Sequence, residues 1–197
     1  LIEGYTSLIG EFNLDNLLMA VAIAVISGVD PIEISANLPK YLGAPGRLEQ
    51  VKVGQDFLAF VDYAHTPDAV ANVLKTARAM TTGKLIAVLG CGGDRDKTKR
   101  PLMAKALTAA DIPIFTSDNP RSENPETILQ EMVNGLAHTG EVIVDRRAAI
   151  AKAVKLAKTG DVVAILGKGH EIGQEILGVK HPFDDRKVLA EEIANLK

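Results

Sequence analysis

Three short runs of this chain, Ile86-Ala-Val-Leu89, Ile112-Pro-Ile-Phe115 and Val162-Val-Ala-Ile-Leu166, are apolar at every position. A strand with one wet face alternates apolar and polar residues. A strand that does not alternate has to be covered on both faces, which is the condition inside a parallel sheet flanked by helices. The segments between these runs have helical length: 67–80, capped by Thr66, then 101–110, 125–137, 147–158 and 186–196. Strands are expected at 48–53, 57–61, 84–89, 112–116, 141–144 and 161–166, with a hairpin at 174–180. Strands alternating with helices imply right-handed βαβ crossovers. The fold class is therefore α/β, a Rossmann-like and mostly parallel sheet with helices on both faces.

The first forty residues read differently. Residues 1–10 begin abruptly, as if the natural protein started earlier. A helix at 11–27 is apolar on nearly every side and stops at Gly28; its stretch 17–26 is too short to span a bilayer and reads as a buried helix. A second helix, 31–38, follows the cap candidate Asp30. Residues 39–46 hold two prolines and two glycines, the best hinge in the chain. The expected division is a helical remnant of a preceding domain at 1–43 and a sheet domain at 44–197.

A net charge of −3 over 197 residues gives no reason to expect nucleic acid or an anionic membrane as partner. Cys91 is the only cysteine, so an internal disulfide is impossible and a reducing, cytoplasmic setting is expected.

The chemistry is concentrated where strands end. In open α/β sheets ligands bind in the crevice outside the carboxyl ends of the strands. After strand 112–116 comes Ser117-Asp118-Asn119-Pro120-Arg121. Arg121 could grip a carboxylate with two parallel hydrogen bonds, while Asp118 and Asn119 could accept from an ammonium, a combination suited to an amino acid. Asn-Pro pairs also serve as plain turns and helix caps. After strand 84–89 comes Gly90-Cys91-Gly92-Gly93-Asp94-Arg95-Asp96-Lys97-Thr98-Lys99-Arg100. Its glycines allow backbone amides near an anion, and positions 94–100 carry four basic and two acidic side chains, so a carboxylate or phosphate is the expected visitor. It is no dinucleotide fingerprint, because Arg95 stands where the last glycine would be, and the chain has no G-x-x-x-x-G-K-[ST] loop. Asp62-Tyr63-Ala64-His65-Thr66 offers a carboxylate for a ribose hydroxyl and an imidazole for a phosphate or metal-bound water, although a histidine beside a cap is more often structural. Gly167-Lys168-Gly169-His170-Glu171 follows the last core strand. The four histidines, His65, His138, His170 and His181, are too dispersed to propose a zinc site.

Six segments in register, Leu8–Asn16, Gly46–Glu49, Asp62–Asp68, Gly90–Lys97, Asp118–Arg121 and Gly167–Glu171, resemble the Mur ligase family over nearly the whole chain. The resemblance implies an ATP-dependent amide-bond ligase of peptidoglycan precursor synthesis. In such an enzyme ATP and Mg2+ phosphorylate the glutamyl carboxylate of a UDP-muramoyl dipeptide, and an amino acid's amine then attacks. This chain would be the end of the central domain plus the C-terminal domain; the P-loop and most Mg2+ ligands would lie upstream, so that the piece alone would be inactive. By the same resemblance Asn16 would meet adenine, Arg47 the terminal phosphate and Asp62 the ribose, with His65 nearby. Arg95, Asp118, Asn119, Pro120, Arg121, Gly167 and Glu171 would hold the incoming amino acid, with no catalytic side chain and no metal ligand assigned. The Asp-Asn-Pro-Arg form is similar to that of members adding meso-2,6-diaminopimelate. Competing readings are a lysine-adding relative, a non-catalytic amino-acid or nucleotide-binding module, and a dinucleotide-dependent oxidoreductase domain, against which the broken glycine fingerprint argues.

Overall fold

The computed structural model describes residues 1–137 and 140–196; His138 lies outside the described residues. Five strands, β2 (Leu58–Asp62), β6 (Val162–Leu166), β3 (Leu85–Cys91), β4 (Ile112–Ser117) and β5 (Glu141–Ile143), run parallel in that spatial order. The short β1 (Glu49–Gln50) adds an antiparallel edge beside β2. A separate hairpin joins β7 (Gly173–Ile176) to β8 (Val179–Pro182).

Successive residues of the core strands divide between two apolar layers, as a period of two requires. Phe60, Leu85, Ala87, Leu89, Phe115 and Leu166 face α3 (Pro67–Ala79), α4 (Lys99–Leu107) and α5 (Pro125–Val133). Val61, Ile86, Val88, Ile114, Val163 and Ile165 face α6 (Arg146–Leu156) and α7 (Asp185–Ala194). All seven residues of β3 and all five of β6 are buried, which accounts for their unbroken apolar character. The chain leaves β3 toward one layer and leaves β6 toward the other. A crevice therefore opens between their carboxyl ends.

Side-chain caps start the helices around that crevice. Thr66 accepts from Ala69 N, Asn124 from Glu126 N, Asp145 from Ala148 N and Asp184 from Arg186 N. Each such cap is worth about 1 kcal/mol. Helix α4 begins at Lys99, two residues before the expected Pro101. Pro101 falls inside its first turn, where the missing N–H has no intrahelical partner to lose.

The N-terminal part holds α1 (Glu11–Ile26) and α2 (Pro31–Asn37), the latter capped by Asp30. The expectation of a buried helix at 17–26 is corrected: Leu17 is buried, but Leu18, Met19 and Ile26 are 59%, 64% and 87% exposed. Apolar residues all round a helix say that every side can be covered, not that this chain covers them. Ile9 and Phe12 pack against the first apolar layer, and Gln50 Nε2 donates to the Ser7 carbonyl at 2.7 Å. No described helix is long and apolar enough to cross a membrane.

Candidate active-site cleft

A cleft of about 460 Å³ lies at the carboxyl ends of the strands. Of the expected site residues, Arg95, Asp118, Asn119, Arg121, Gly167, Glu171 and His65 line it. They come from the ends of four parallel strands, separated by up to 106 positions in sequence and gathered by the sheet. Pro120, Asn16, Arg47 and Asp62 are not among the lining residues. Pro120 is buried just behind the wall, where its carbonyl stands so close to Gly93 that a β-carbon at 93 would collide with it. Asn16 and Arg47 are exposed elsewhere, Arg47 lying 5.3 Å from the centre of the Tyr63 ring.

Asp62 is 2% exposed, and its two oxygens accept from Leu48 N and Ala64 N at 2.8 Å each. Burial pushes its carboxyl up, while those amides pull against the shift. Its present work is to pin the chain at Leu48 to the end of β2. His65 Nδ1 lies 2.7 Å from the Tyr63 carbonyl, so the ring is oriented by its own turn.

Behind Asp118, Asn119 and Glu171 lies a residue that sequence reasoning passed over. Lys168 is fully buried, and its ammonium donates to Asn119 Oδ1 at 3.0 Å and Glu171 Oε2 at 3.1 Å, with Asp118 Oδ1 at 4.0 Å. Asn119 Nδ2 donates to the same Glu171 oxygen at 2.9 Å, which fixes the amide's orientation. Burial alone would push the Glu171 carboxyl up, but Asn119 and Lys168 outweigh it and hold it below the ordinary glutamate value. Asp118 is pushed up by burial, opposed by the Arg146 and Lys168 cations. Gly167, at φ 110°, brings backbone against Asp118: a β-carbon there would stand 2.9 Å from Oδ2. The only sequence sign of Lys168 was its place between two glycines.

Arg121 has a left-handed backbone, φ 51°. Its N–H donates to the Glu175 carbonyl and its carbonyl accepts from Leu177 N, so the hairpin holds it like an added strand. Nη1 donates to the Gly93 carbonyl at 2.7 Å, and a β-carbon on Gly92 would lie 2.8 Å from that nitrogen. The guanidinium therefore occupies space that only glycine leaves open.

The expected surplus of positive charge at 94–100 is smaller than the sequence implied. Arg100 is 1% exposed and is bound by Glu123 Oε1 at 2.7 Å, Glu123 Oε2 at 3.0 Å and Glu131. Lys97 joins the same cluster, 3.1 Å from Glu123. Arg95 and Lys99 are left as the lining cations of that segment that no ion pair among the described residues neutralises, because the carboxylates that take the other two arrive from α5 and the loop before it. Cys91, a largely buried residue of the cleft wall, has its thiol pushed up to about 12 by burial and by Asp118. It is a thiol, not a nucleophile, at neutral pH.

Glu123 is the one carboxylate here with a large downward shift, to about 2 from an ordinary 4.5, through hydrogen bonds from Arg100 first and the Asp94 amide second. A depressed folded value stabilises the fold above the unfolded value, and that contribution drains away as pH falls from 4.5 toward 2. Glu123→Gln is therefore expected to cost about 1–3 kcal/mol at pH 7, partial exposure holding it below the full linkage value. Urea unfolding at pH 7 and pH 3 checks this: the gap between variant and parent should narrow at the lower pH, and a constant gap would contradict the assignment.

A parallel sheet with a cleft of cations and carboxylates at the carboxyl ends of its strands defines an α/β domain with a polar ligand-binding cleft. Residues 46–169 match the family model described as Mur ligase, glutamate ligase domain, and the chain belongs to the Mur ligase family. It is 52% identical over 192 residues to the UDP-N-acetylmuramoyl-L-alanyl-D-glutamate--2,6-diaminopimelate ligase of Aquifex aeolicus (strain VF5), a match covering 96% of this chain and 39% of that protein. The ligase of the same name from Streptomyces coelicolor is 52% identical over 200 residues, covering 98% of this chain and 40% of that one. A solved ligase of that name superposes with a TM-score of 0.78 at 45% identity over 98% of this chain and 40% of its own. The folylpolyglutamate synthase of Mycobacterium tuberculosis shares the fold at 22% identity, with a TM-score of 0.62 over 83% of this chain and 39% of its own. The chain thus spans about two fifths of the length of the relatives it matches.

Proposed function

We propose that this chain is the amino-acid-binding portion of an ATP-dependent ligase that adds meso-2,6-diaminopimelate to UDP-N-acetylmuramoyl-L-alanyl-D-glutamate. The observation that carries the reading is the cleft itself, whose lining brings Arg95 and Arg121 together with Asp118, Asn119 and Glu171. Diaminopimelate has two carboxylates and two ammonium groups, and two guanidiniums with two carboxylates match that count. Identity near 50% to diaminopimelate ligases over almost the whole chain supports the same substrate.

In this reading ATP phosphorylates the D-glutamyl carboxylate, the free amine of diaminopimelate attacks the acyl phosphate, and phosphate leaves. Chemistry of that kind depends on positioning and charge neutralisation more than on a side-chain nucleophile. The role of this chain is to hold the diamino acid by its charged ends so that one amine is presented to the acyl carbon. Residues 1–43 are then the end of the preceding nucleotide-binding domain, and 44–197 the domain that brings the amino acid. On the ATP side Asn16, Arg47, Asp62 and His65 are the proposed contacts. Asp62 would reach a ribose hydroxyl only with the lone pairs that the Leu48 and Ala64 amides leave. Magnesium is expected with ATP, but the described residues contain no group of three metal-ligating side chains, and they do not fit a magnesium cage of their own.

The test is ligation by the natural protein that carries this chain, supplied with ATP, the UDP-muramoyl dipeptide and either diaminopimelate or lysine. Phosphate release and a product heavier by one diaminopimelate residue, both dependent on all three substrates, are the expected result. A preference for lysine would transfer the assignment to the lysine-adding type, and no ligation with either amino acid would overturn it.

A further inference from the structure

The loop after β3 and the loop after β4 are fastened to one another by Asp94, Ser122 and Glu123, none of which lines the cleft. Asp94 Oδ1 accepts from Ser122 Oγ at 2.6 Å and Asp94 Oδ2 from Ser122 N at 3.2 Å. In return Glu123 Oε1 accepts from Asp94 N at 2.6 Å, and Gly93 N donates to the Asn119 carbonyl at 2.9 Å. Arg100, buried between them, ties Glu123 to the Gly92 carbonyl at 3.3 Å. Asp94 and Arg121 are both non-glycine residues in the left-handed region, at φ 53° and 51°. Such a conformation is unfavourable for a residue with a β-carbon and persists only where the surroundings enforce it.

We infer that Asp94 is a positioning residue for specificity, holding the Arg121 guanidinium in register with the cleft through its clasp on Ser122. The connection is short. Arg121 immediately precedes Ser122, and its Nη1 is bound to the carbonyl of Gly93, the residue immediately before Asp94. The clasp thus fixes both the backbone that carries the guanidinium and the carbonyl on which it rests. Asp94 itself is exposed and does not line the cleft. Without the clasp, Arg121 and Asp94 would each relax toward ordinary backbone angles, and the fork would lose the fixed orientation that two-point recognition of a carboxylate demands.

This inference rests on the proposed diaminopimelate site, and its test separates the two. The readout is the ratio of kcat/KM for diaminopimelate to that for lysine in the natural protein, because loss of folded enzyme lowers both efficiencies alike and cancels. Asp94→Ala is expected to lower the ratio about tenfold with KM for ATP unmoved, the loss of two hydrogen bonds expressed only through the carboxylate that lysine lacks. Asp94→Asn keeps an acceptor and tolerates the left-handed backbone, and should retain most of the ratio. Ser122→Ala, a milder change that spares the backbone angle, should lower it about threefold and serves if Asp94→Ala does not fold. Arg121→Ala is run beside them. If it collapses the ratio while Asp94→Ala and Ser122→Ala leave it at the parent value, the positioning role is overturned and the site reading stands. If Arg121→Ala leaves the ratio unchanged, both are overturned.

Discussion

Arg146→Met is expected to remove about 3–5 kcal/mol of folding stability, the loss that follows from stranding one partner of a fully buried ion pair. Arg146 and Asp185 are both at zero side-chain exposure, joined by two parallel hydrogen bonds, Nε to Oδ1 at 2.8 Å and Nη2 to Oδ2 at 2.6 Å. The same guanidinium donates to the carbonyl of Leu166 at 3.0 Å and of Ser117 at 3.3 Å, the last residues of β6 and β4. Methionine would fill the volume but leave a desolvated carboxylate without its partner and remove the guanidinium's donors from two strand-end carbonyls. The cost lies in those orphaned partners, not in the attraction that is lost. Asp185→Leu alone strands the guanidinium and should cost a similar amount, whereas the double variant Arg146→Met, Asp185→Leu should cost less than the sum, because apolar replacement of both partners removes the stranded charge. Equilibrium urea unfolding of the four proteins measures this. Additive losses would mean that the pair is not the unit described. The residues after those two carbonyls are Asp118 and Gly167, and Arg146 is also the first cation opposing the upward push on Asp118. Loss of Arg146 should therefore loosen amide exchange at 118 and 167 as well as lower the midpoint.

The sheet was legible because continuous apolar runs at strand length admit few alternatives, and the glycine, proline and charge signals all fell at one end of those runs. Element ends moved by one to three residues, and by four at α5, for ordinary reasons: β3 runs on to Cys91 because its glycine lies against β4, and α4 starts ahead of its proline. What could not be read was pairing over distance. Arg146 looks like a solvated residue at a helix start, and its partner is 39 positions away. Arg100 belongs by sequence to a basic loop and by structure to carboxylates 23 and 31 positions on. The buried reading of α1 failed for the same reason in reverse, since apolar character describes a residue and burial describes its neighbours. Lys168 is the sharpest case: nothing about a lysine between two glycines says that it is buried, yet the orientation of Asn119 and the ionisation of Glu171 both depend on it.

Arg121→Ala is expected to lower the preference for diaminopimelate over lysine by roughly 30- to 1000-fold, the equivalent of about 2–4 kcal/mol. Diaminopimelate differs from lysine by a second carboxylate, and a carboxylate drawn into the cleft leaves water behind. Arg121, held through its backbone by Glu175 and Leu177 and through Nη1 by Gly93, offers that group a pre-oriented fork. The neighbouring Glu175 carboxylate, 3.6 Å from Nε and half exposed, keeps the guanidinium from swinging into solvent without closing the fork. Removing the fork leaves the ligand's anion desolvated in a cleft that also holds the carboxylates of Asp118 and Glu171, so repulsion adds to the missing bonds. Lysine has no such group and should lose little. Alanine at φ 51° also strains the loop, so absolute activity would fall for both amino acids, and the ratio of their efficiencies is the quantity that isolates recognition. Arg121→Lys sharpens the point. It keeps the charge but reaches the carboxylate through a single ammonium, so the ratio should still fall, by about tenfold. If Arg121→Lys matched the parent, a point charge would suffice and the planar geometry would carry no specificity; if Arg121→Ala did so as well, the left-handed turn at 121 would serve the fold of the hairpin alone.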